Sequence, residues 1–319
     1  MSARHAALLG LLAALWGSSY LLIKYALDGF SPAEIVFGRA ALAAVVLVPL
    51  CALRGGATRA RLADVRRRPG LALVLGTLFV AAPFLLISLG ELHVPSGLTA
   101  ILIAPSPIFV ALLALVLDPS ERLAGRGWVG LAVGLSGVAL LVGVESVSSL
   151  ATFLGSLGIL LASACYAGAS YVVKTGYRGF PPLVTSALAV SAAALVTLPV
   201  ALLAPGTDSP DAGDWAALVA LGVTHTALAF LIFYELIGAV GAGRANLVSY
   251  LTPPFALVYG AVFLAERVTA AALAGLGLIL AGVTLASRRR GPVEVLAPRR
   301  AHADAEGRAT RGETSARVG

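Results

Sequence analysis

The stretch that decides the fold is residues 11–32, which reads LLAALWGSSYLLIKYALDGFSP. Residues 161–182 read LASACYAGASYVVKTGYRGFPP and align with it without a gap, at an offset of 150 residues. The match continues along both halves of the chain, at offsets that drift only between 150 and 145. This pattern indicates an internal duplication. Matched positions include Ala14 with Ala164, Lys24 with Lys174, Pro32 with Pro182, Phe84 with Phe230, Pro107 with Pro254 and Glu121 with Glu266.

The composition around the repeat is typical of a membrane protein. Of 319 residues, 59% are hydrophobic and only 12% are charged, and the mean hydropathy is +0.93. Soluble domains carry about 25% charged residues, so half that fraction cannot cover a surface that faces water. A bilayer removes this conflict, because apolar side chains then face lipid. We predict a multi-pass protein of the cell membrane, with the lipid bilayer as its surroundings.

Apolar segments long enough to span a membrane follow one another along the chain. Each has about 20 residues, and a helix of that length crosses about 30 Å of hydrocarbon. The predicted fold class is all-α integral membrane, with ten transmembrane helices. The predicted segments are 6–27, 32–53, 70–90, 95–117, 125–144, 153–174, 182–204, 214–237, 242–264 and 269–287.

Each copy of the repeat contains five of the predicted helices. Because five is odd, the second copy enters the membrane from the opposite side, so the two halves are predicted to be inverted repeats. Residues 1–148 form the first half and residues 149–290 the second. Residues 291–319 are charged and poor in large apolar residues, which predicts a disordered cytoplasmic tail. Since the first segment has a copy at 161–174, it is not interpreted as a cleaved signal peptide.

The basic residues determine the predicted orientation. The net charge is +7, and the arginines cluster in alternate connections, most densely at 66–68 and 288–290. Under the positive-inside rule these connections face the cytoplasm, which places both termini inside. The outer connections then hold mainly acidic residues, among them Asp28, Glu91 and Asp208. Because the basic runs flank apolar segments, we predict no nucleic-acid partner.

Short motifs recur in the same order in both halves. They are Trp16-Gly17-Ser18-Ser19 in the first segment, Pro32 with Arg39 in the second, Pro107 and Pro254 in the fourth and ninth, and the Glu-Arg pairs at 121–122 and 266–267. Together they resemble the drug/metabolite transporter superfamily, in particular its EamA-type ten-helix members, over residues 6–287. The resemblance implies a solute carrier, often an exporter of amino acids or other metabolites, in which helices 1, 3, 4, 6, 8 and 9 surround a central cavity.

The repeat and the resemblance together predict a secondary transporter that exports a small metabolite, an amino acid or a related compound, by alternating access. The small-molecule solute is the expected partner. The sequence contains no phosphate-binding loop and no zinc-protease motif, so no cofactor or metal is predicted. The alternative is an intramembrane enzyme acting on a lipid or a small molecule. Its one hint is the possibility that His225 pairs with a serine such as Ser19.

Polar and aromatic residues within the predicted helices are the candidates for the solute site. An ionisable group at the centre of a membrane costs about 2.5–3.5 kcal/mol, so each requires a reason. Arg39 either meets an anionic group in the cavity or pairs with a carbonyl. His225 either binds solute and titrates during transport, or is a neutral histidine hydrogen-bonded to a neighbouring helix. The candidate lining residues are Trp16, Ser19, Tyr20, Arg39, Phe79, Thr99, His225, Asn246 and Tyr250.

Prolines and glycines support further structural predictions. Pro83, Pro107 and Pro254 are expected to interrupt their helices, since proline removes a backbone hydrogen bond. Glycines of the fifth and tenth helices, such as Gly130 and Gly282, are expected to allow close helix contact. That contact lies either within the chain or between the subunits of a homodimer.

Two charged residues near helix ends have structural interpretations. Lys24 is expected to extend to the membrane interface. Glu235, near the inner end of the eighth helix, is expected to pair with Arg244.

Overall fold

A computed structural model describes residues 1–54, 69–117, 125–145, 149–206 and 209–287 of the chain. Every regular element among these residues is a helix, which confirms the predicted all-α class. The predicted tail at 291–319, the basic connection at 55–68, Asp208 and the Glu-Arg pair at 121–122 lie outside the described residues.

The main helices are numbered in chain order. Their bounds lie within a few residues of most of the predicted segments, but the ninth begins later than expected, after a short helix at Ala242–Ala245. The helices are α1 (Ala3–Ala26), α2 (Pro32–Leu53), α3 (Pro69–Glu91), α4 (Ser96–Leu117), α5 (Gly125–Glu145), α6 (Leu150–Gly176), α7 (Pro182–Leu203), α8 (Ala212–Val240), α9 (Val248–Phe263) and α10 (Ala270–Ser287).

The helices have the length and surface of membrane spans. Within the described ranges, α1 to α8 are each long and apolar enough to cross a bilayer, and α9 and α10 are shorter apolar helices. Large apolar side chains point outward from the bundle, with Val45, Leu53 and Leu203 at 71%, 81% and 85% exposed. Such a surface is unfavourable in water and favourable in lipid. The count of ten spans stays a prediction.

Side-chain caps determine where α2 and α8 begin. The Glu34 carboxylate accepts from the backbone N–H of Ser31 at 2.8 Å, and the Ser31 hydroxyl accepts in return from the N–H of Glu34. Asp211 and Asp214 form the same reciprocal arrangement at the start of α8. Each box satisfies backbone donors that the first turn of a helix leaves unpaired. Glu34 also accepts from the N–H of Gly206 at 2.9 Å, which ties the start of α2 to the segment after α7.

Helix α5 packs along α10 through facing glycines. A Cβ atom on Gly130 would lie 2.6 Å from the carbonyl oxygen of Gly282, and one on Gly137 would lie 2.8 Å from that of Gly275. Both distances are too short for a side chain, so the helices approach closely only because glycine occupies these positions. These contacts lie within one chain. Of the two uses predicted for the glycines, the structure shows the intramolecular one.

Helices α3 and α8, which are equivalent in the repeat, share an irregularity. Each contains a turn of π-helix at the matching place, at Thr77–Ala81 and at Val223–Leu228. A glycine precedes each turn, and these two glycines allow matching contacts: Gly76 lies against α7 and Gly222 against α2. Wide turns of this kind expose backbone groups that ordinary helices hide, and they recur at functional sites.

The prolines differ in their effects. Helix α4 is interrupted at Pro105, and Pro107 is the second residue of the following segment, where its missing N–H is tolerated. Pro83 is the second residue after the π-helical turn of α3. The prediction that Pro254 interrupts its helix was wrong, since α9 runs unbroken from Val248 to Phe263. Helix α1 packs closely on this part of α9 at Gly17, which supports the continuous axis.

A left-handed alanine ends α9 and supplies a test of the fold. Ala265 has a φ of 52°, which costs a residue with a Cβ about 1–2 kcal/mol. Ala265→Gly removes that cost. Glycine also gives the unfolded chain more conformational freedom, which lowers the free energy of unfolding by about 0.4–1 kcal/mol. We expect the apparent melting temperature in detergent to rise slightly. The exposed helical residue Ala139 is the control. Ala139→Gly should lower the melting temperature, because glycine inside a helix is about 1 kcal/mol less favourable than alanine. Equal shifts in both variants would contradict the assignment.

Candidate functional site

A cavity of about 290 Å³ lies among helices α1, α2, α3, α4, α6, α8 and α9. This volume corresponds to about ten water molecules at about 30 Å³ each, so the cavity suits a small solute. Six of these helices are those implied by the resemblance, and α2 is added because it contributes Arg39. The lining includes Trp16, Ser19, Tyr20, Ile23, Arg39, Phe79, Phe84, Ile87, Ala100, Ser106, Tyr166, Ser170, His225, Phe230, Phe233, Asn246, Ser249, Thr252 and Pro253.

Most of the residues proposed from the sequence line this one cavity, and Thr99 and Tyr250 do not. Thr99 is fully buried, and its hydroxyl donates to the carbonyl oxygen of Pro95 at 3.1 Å. Tyr250 packs against the apolar cluster formed mainly by α4, α5 and α10. Thr99 lies on α4 and Tyr250 lies on α9. Both helices line the cavity, but these two side chains point away from it.

Several lining residues were not predicted from the sequence, although their repeat equivalents point to them. Tyr166 matches Trp16, Ser170 matches Tyr20, and Phe230 matches Phe84, and both members of each pair line the cavity. Phe79 and His225, Ile87 and Phe233, and Ser106 and Pro253 are further matched pairs within the lining. The two halves therefore contribute equivalent positions with different chemistry.

Arg39 places a positive charge in the cavity. Its side chain is 6% exposed, its Nε donates to the hydroxyl of Thr226 at 2.7 Å, and its guanidinium carbon lies 4.0 Å from the centre of the Phe84 ring. Among the described residues no carboxylate lies within ion-pair distance of this guanidinium. The ring face attracts the cation only partly, so the charge retains capacity for an anionic partner.

The π-helical turn of α8 holds the groups around Arg39. The hydroxyl of Thr226 donates to the carbonyl oxygen of Leu221 at 2.8 Å, five residues back, which leaves its oxygen free to accept from Arg39. His225 Nδ1 lies 2.9 Å from the carbonyl oxygen of Ala220, also five residues back. The wide turn thus supplies carbonyl acceptors that position two cavity side chains.

His225 both lines the cavity and contacts a neighbouring helix. Its Nδ1 lies 2.6 Å from the hydroxyl of Thr224 and 2.9 Å from the carbonyl oxygen of Ala220. The other nitrogen, Nε2, lies 3.0 Å from the hydroxyl of Ser18 in α1. The sequence suggested Ser19 as the partner of His225, but Ser19 donates to the carbonyl oxygen of Leu15 instead. The structure thus shows the hydrogen-bonding contact with a neighbouring helix, and solute binding or titration by His225 stays a prediction.

Aromatic rings form the apolar wall of the cavity. Phe79 stacks on Phe230 with 5.6 Å between ring centres, and it meets Tyr166 edge-on at 6.2 Å. Trp16 and Phe233 pack at 5.4 Å. A wall of this kind suits the apolar body of a solute, while a few polar groups fix its orientation.

The exposure of the lining residues shows which end of the cavity opens to the surroundings. Ser170 in the last third of α6 and Asn246 just before α9 are exposed. Ile23, Ile87 and Ala100 are at most 4% exposed. We call the end at Asn246 the open end and the end at Ile23 the sealed end. Helix α1 runs from the open end towards the sealed end, and its repeat equivalent α6 ends at the open end.

Polar contacts close the sealed end. The Glu266 carboxylate, from the connection between α9 and α10, accepts from the N–H of Ser96 at 2.7 Å, the hydroxyl of Ser96 at 2.9 Å and the N–H of Gly97 at 3.1 Å. The N-terminus of α4 is thereby capped by a carboxylate from the other half, which its dipole favours. Lys24 donates to the main-chain oxygen of Glu91, joining the ends of α1 and α3.

Two predictions about charged residues were wrong. Glu91 was placed in an outer connection, but it is the last residue of α3 and is 1% exposed. Glu235 was expected to pair with Arg244, but it forms a 2.5 Å ion pair with Arg4 near the start of α1. Both partners of that pair are exposed, so it contributes little to stability.

Comparison with known proteins agrees with this architecture. The chain is 30% identical over 276 residues to a probable terminal-alkyne amino-acid exporter of Streptantibioticus cattleyicolor, covering 86% of this chain and 90% of that protein. It is 28% identical to the uncharacterized transporter YdfC of Bacillus subtilis, covering 85% and 87%. It is 26% identical to the uncharacterized inner membrane transporter YedA of Escherichia coli, covering 85% and 86%.

Two further comparisons concern the family and the fold. A solved crystal structure superposes with a TM-score of 0.63 at 20% identity, covering 88% of this chain and 96% of that one, which shows a shared fold. The EamA-like transporter family matches twice, over residues 4–143 and over residues 153–288. With these matches and its apolar helices around a central cavity, the chain belongs to the EamA-like transporter family and is a multi-pass membrane transporter.

Proposed function

We propose that this protein exports a small metabolite bearing a carboxylate, an amino acid or a close relative, by alternating access. The observation that carries this proposal is Arg39, a buried cation without a carboxylate partner among the described residues, in a cavity of about 290 Å³. A buried charge is costly unless it has a partner during function. A solute carboxylate supplies that partner, with the bidentate geometry that a guanidinium favours.

The rest of the lining fits the remaining parts of an amino acid. The stacked rings of Phe79 and Phe230 offer an apolar surface to its side chain. The faces of Trp16 and Tyr166 attract an ammonium group. The relative from Streptantibioticus cattleyicolor, named as a probable terminal-alkyne amino-acid exporter, supports the same substrate class.

The proposed topology is ten spans in two inverted halves with both termini in the cytoplasm. The double family match and the matched lining positions support the duplication. Inversion is supported by the opposite directions of α1 and α6 relative to the open end. Under the positive-inside rule the end where α1 begins is cytoplasmic, so the open end faces the inside. An inward-facing cavity can take up solute from the cytoplasm, which is the loading step that export requires.

Counterflow in proteoliposomes tests the proposal. Proteoliposomes loaded with unlabelled leucine should accumulate labelled leucine from outside. Liposomes that contain leucine but no protein should not. Excess 3-methylbutylamine, which is leucine without its carboxylate, should compete about 10- to 150-fold less well, because it lacks a charge-assisted bond of about 1.5–3 kcal/mol. Equal competition by the amine would contradict the role of Arg39. Chemical conversion of solutes without any counterflow would favour the intramembrane enzyme.

A further inference from the structure

A buried carboxylate without a hydrogen-bond partner lies at the sealed end. Glu91 is 1% exposed, and neither oxygen of its side chain has a hydrogen-bond partner in the part of the chain that the structure describes. Buried polar groups in folded proteins are nearly always paired, so this arrangement requires an explanation. The mechanism proposed above does not use Glu91, because the carboxylate lies beyond the cavity.

The charged groups around Glu91 have other hydrogen-bond partners or lie further off. Lys24 of α1 donates to the main-chain oxygen of Glu91, and no ion pair forms with the carboxylate. Glu266 accepts three hydrogen bonds from the start of α4. Arg39 of α2 is bound to Thr226 at the cavity. Among the described residues, the buried Tyr20 of α1 also interacts electrostatically with Glu91, and the exposed His93 lies two residues further along the chain.

Glu91 is buried, and no hydrogen-bond donor among the residues that the structure describes reaches its carboxyl group. These two facts determine which protonation state of Glu91 is compatible with a sealed end. An ionised carboxylate in a dry site is costly unless hydrogen bonds or a close counter-charge stabilise it, whereas a neutral carboxylic acid costs far less. Glu91 follows Ile87 by one helical turn, and Ile87 lines the cavity just inside the seal. When the ends of α1, α3 and α4 separate, water reaches the carboxyl group and the ionised form becomes favourable.

We propose that Glu91 is a proton-binding site that controls the sealed end of the cavity. With its proton bound, the carboxylic acid is compatible with the seal. When the end opens, the acid gives its proton to water on that side and leaves a carboxylate, and resealing takes up one proton from the same water. The ligand is thus a proton from the outer solution. This inference rests on the alternating access proposed above.

The sign of the pH dependence follows from the proton count. The sealed state binds one more proton than the open state, so acid favours sealing and alkali favours opening. The equilibrium between the two shifts by at most about tenfold for each pH unit, because one proton is exchanged.

A labelling experiment reads the opening without relying on transport. Ala100 is 2% exposed at the sealed end of the cavity, so Ala100→Cys should react with an externally added, membrane-impermeant maleimide only when that end opens. The background is the full chain with Cys51→Ala and Cys165→Ala, which removes both native thiols. Because the maleimide reacts with the thiolate, whose fraction itself rises with pH, each rate is divided by that of the exposed reference Asp28→Cys in the same background. In intact cells, we expect this ratio to rise with external pH from 5 to 8, by up to about tenfold for each unit.

Matched variants assign the effect to Glu91. Glu91→Gln should give a low ratio of the two labelling rates that no longer depends on pH, and Glu91→Asp should restore the dependence. Glu34→Gln is the control at the same end, since the Glu34 carboxylate is already bound by the N–H groups of Ser31 and Gly206. His93→Gln controls for the exposed histidine. Both controls should keep the pH dependence, and the melting temperature of each purified variant checks its fold.

The outcomes separate this inference from the proposed function. A pH dependence of the labelling ratio that survives Glu91→Gln, or that disappears in His93→Gln, overturns the role of Glu91. Counterflow without external labelling at any pH also overturns it, because the seal would then not open at Ala100. Absence of both counterflow and labelling would instead overturn alternating access itself.

Discussion

Arg39→Gln should abolish most of the transport while leaving the protein folded. Loss of one partner from a buried, hydrogen-bonded charge pair costs about 2–5 kcal/mol, so kcat/KM for the solute should fall by at least about 30-fold. The structure also predicts the accompanying stability. Because Arg39 lacks a carboxylate partner among the described residues, its replacement removes an uncompensated cation from the membrane interior. The melting temperature should therefore stay the same or rise.

Two further variants sharpen this test. Arg39→Lys keeps the charge but loses the planar fork that matches a carboxylate, so it should retain part of the activity. Phe84→Leu removes the ring that lies 4.0 Å from the guanidinium carbon, and it should weaken transport without abolishing it. Initial rates of counterflow and melting temperatures in detergent are the measurements. Normal transport by Arg39→Gln would refute the proposed site, and so would a loss of transport that accompanies unfolding.

Gly282→Val should cause the largest loss of stability. A Cβ atom at Gly282 would lie 2.6 Å from the carbonyl oxygen of Gly130 and closer still to the backbone nitrogen of Gly134, both in α5. Because the obstacle is backbone, the helices must separate to make room, and overpacking of this kind costs about 1–3 kcal/mol or more. We expect a fall of roughly 10 °C in the melting temperature, at about 2–4 °C per kcal/mol.

The same helix supplies the matched control. Gly277 lies in α10 as well, but a Cβ atom there has no heavy atom of another group within 4 Å. Gly277→Val therefore changes the same residue type on the same helix without a collision, and its melting temperature should stay within a few degrees of the original. If both variants are equally unstable, the collision with the backbone of Gly130 and Gly134 does not explain the loss.

The general location of the site could be predicted from the sequence, because the doubled motifs imply a cavity between the two halves. The errors have a common cause. Thr99 lies next to Ala100, which lines the cavity, yet Thr99 points into the bundle. Spacing along a helix determines which residues share a face, but the rotation of that face towards a cavity depends on packing. Tyr250 likewise lies three residues before Pro253, which lines the cavity, yet its own side chain does not reach the cavity.

Glu91 shows a second limit of sequence analysis. A polar residue at the end of an apolar segment usually lies at the membrane surface, and hydropathy alone predicts that position. Whether other elements cover the residue depends on contacts with parts of the chain far away in sequence. Here α1 supplies Lys24, and the connection between α9 and α10 supplies Glu266. The burial of Glu91 is therefore a tertiary property.

The sequence alone determined the environment, the helical class and the duplication, because hydropathy and repeat offsets depend only on residue order. Only the tertiary structure decided which faces line the cavity, which end is sealed, and that Arg39 lacks a carboxylate partner within the described ranges. The physical reason is the packing of backbones at Gly17, Gly76, Gly222 and Gly282, which determines the position and rotation of the helices. That packing places the residues of two dissimilar halves around one site.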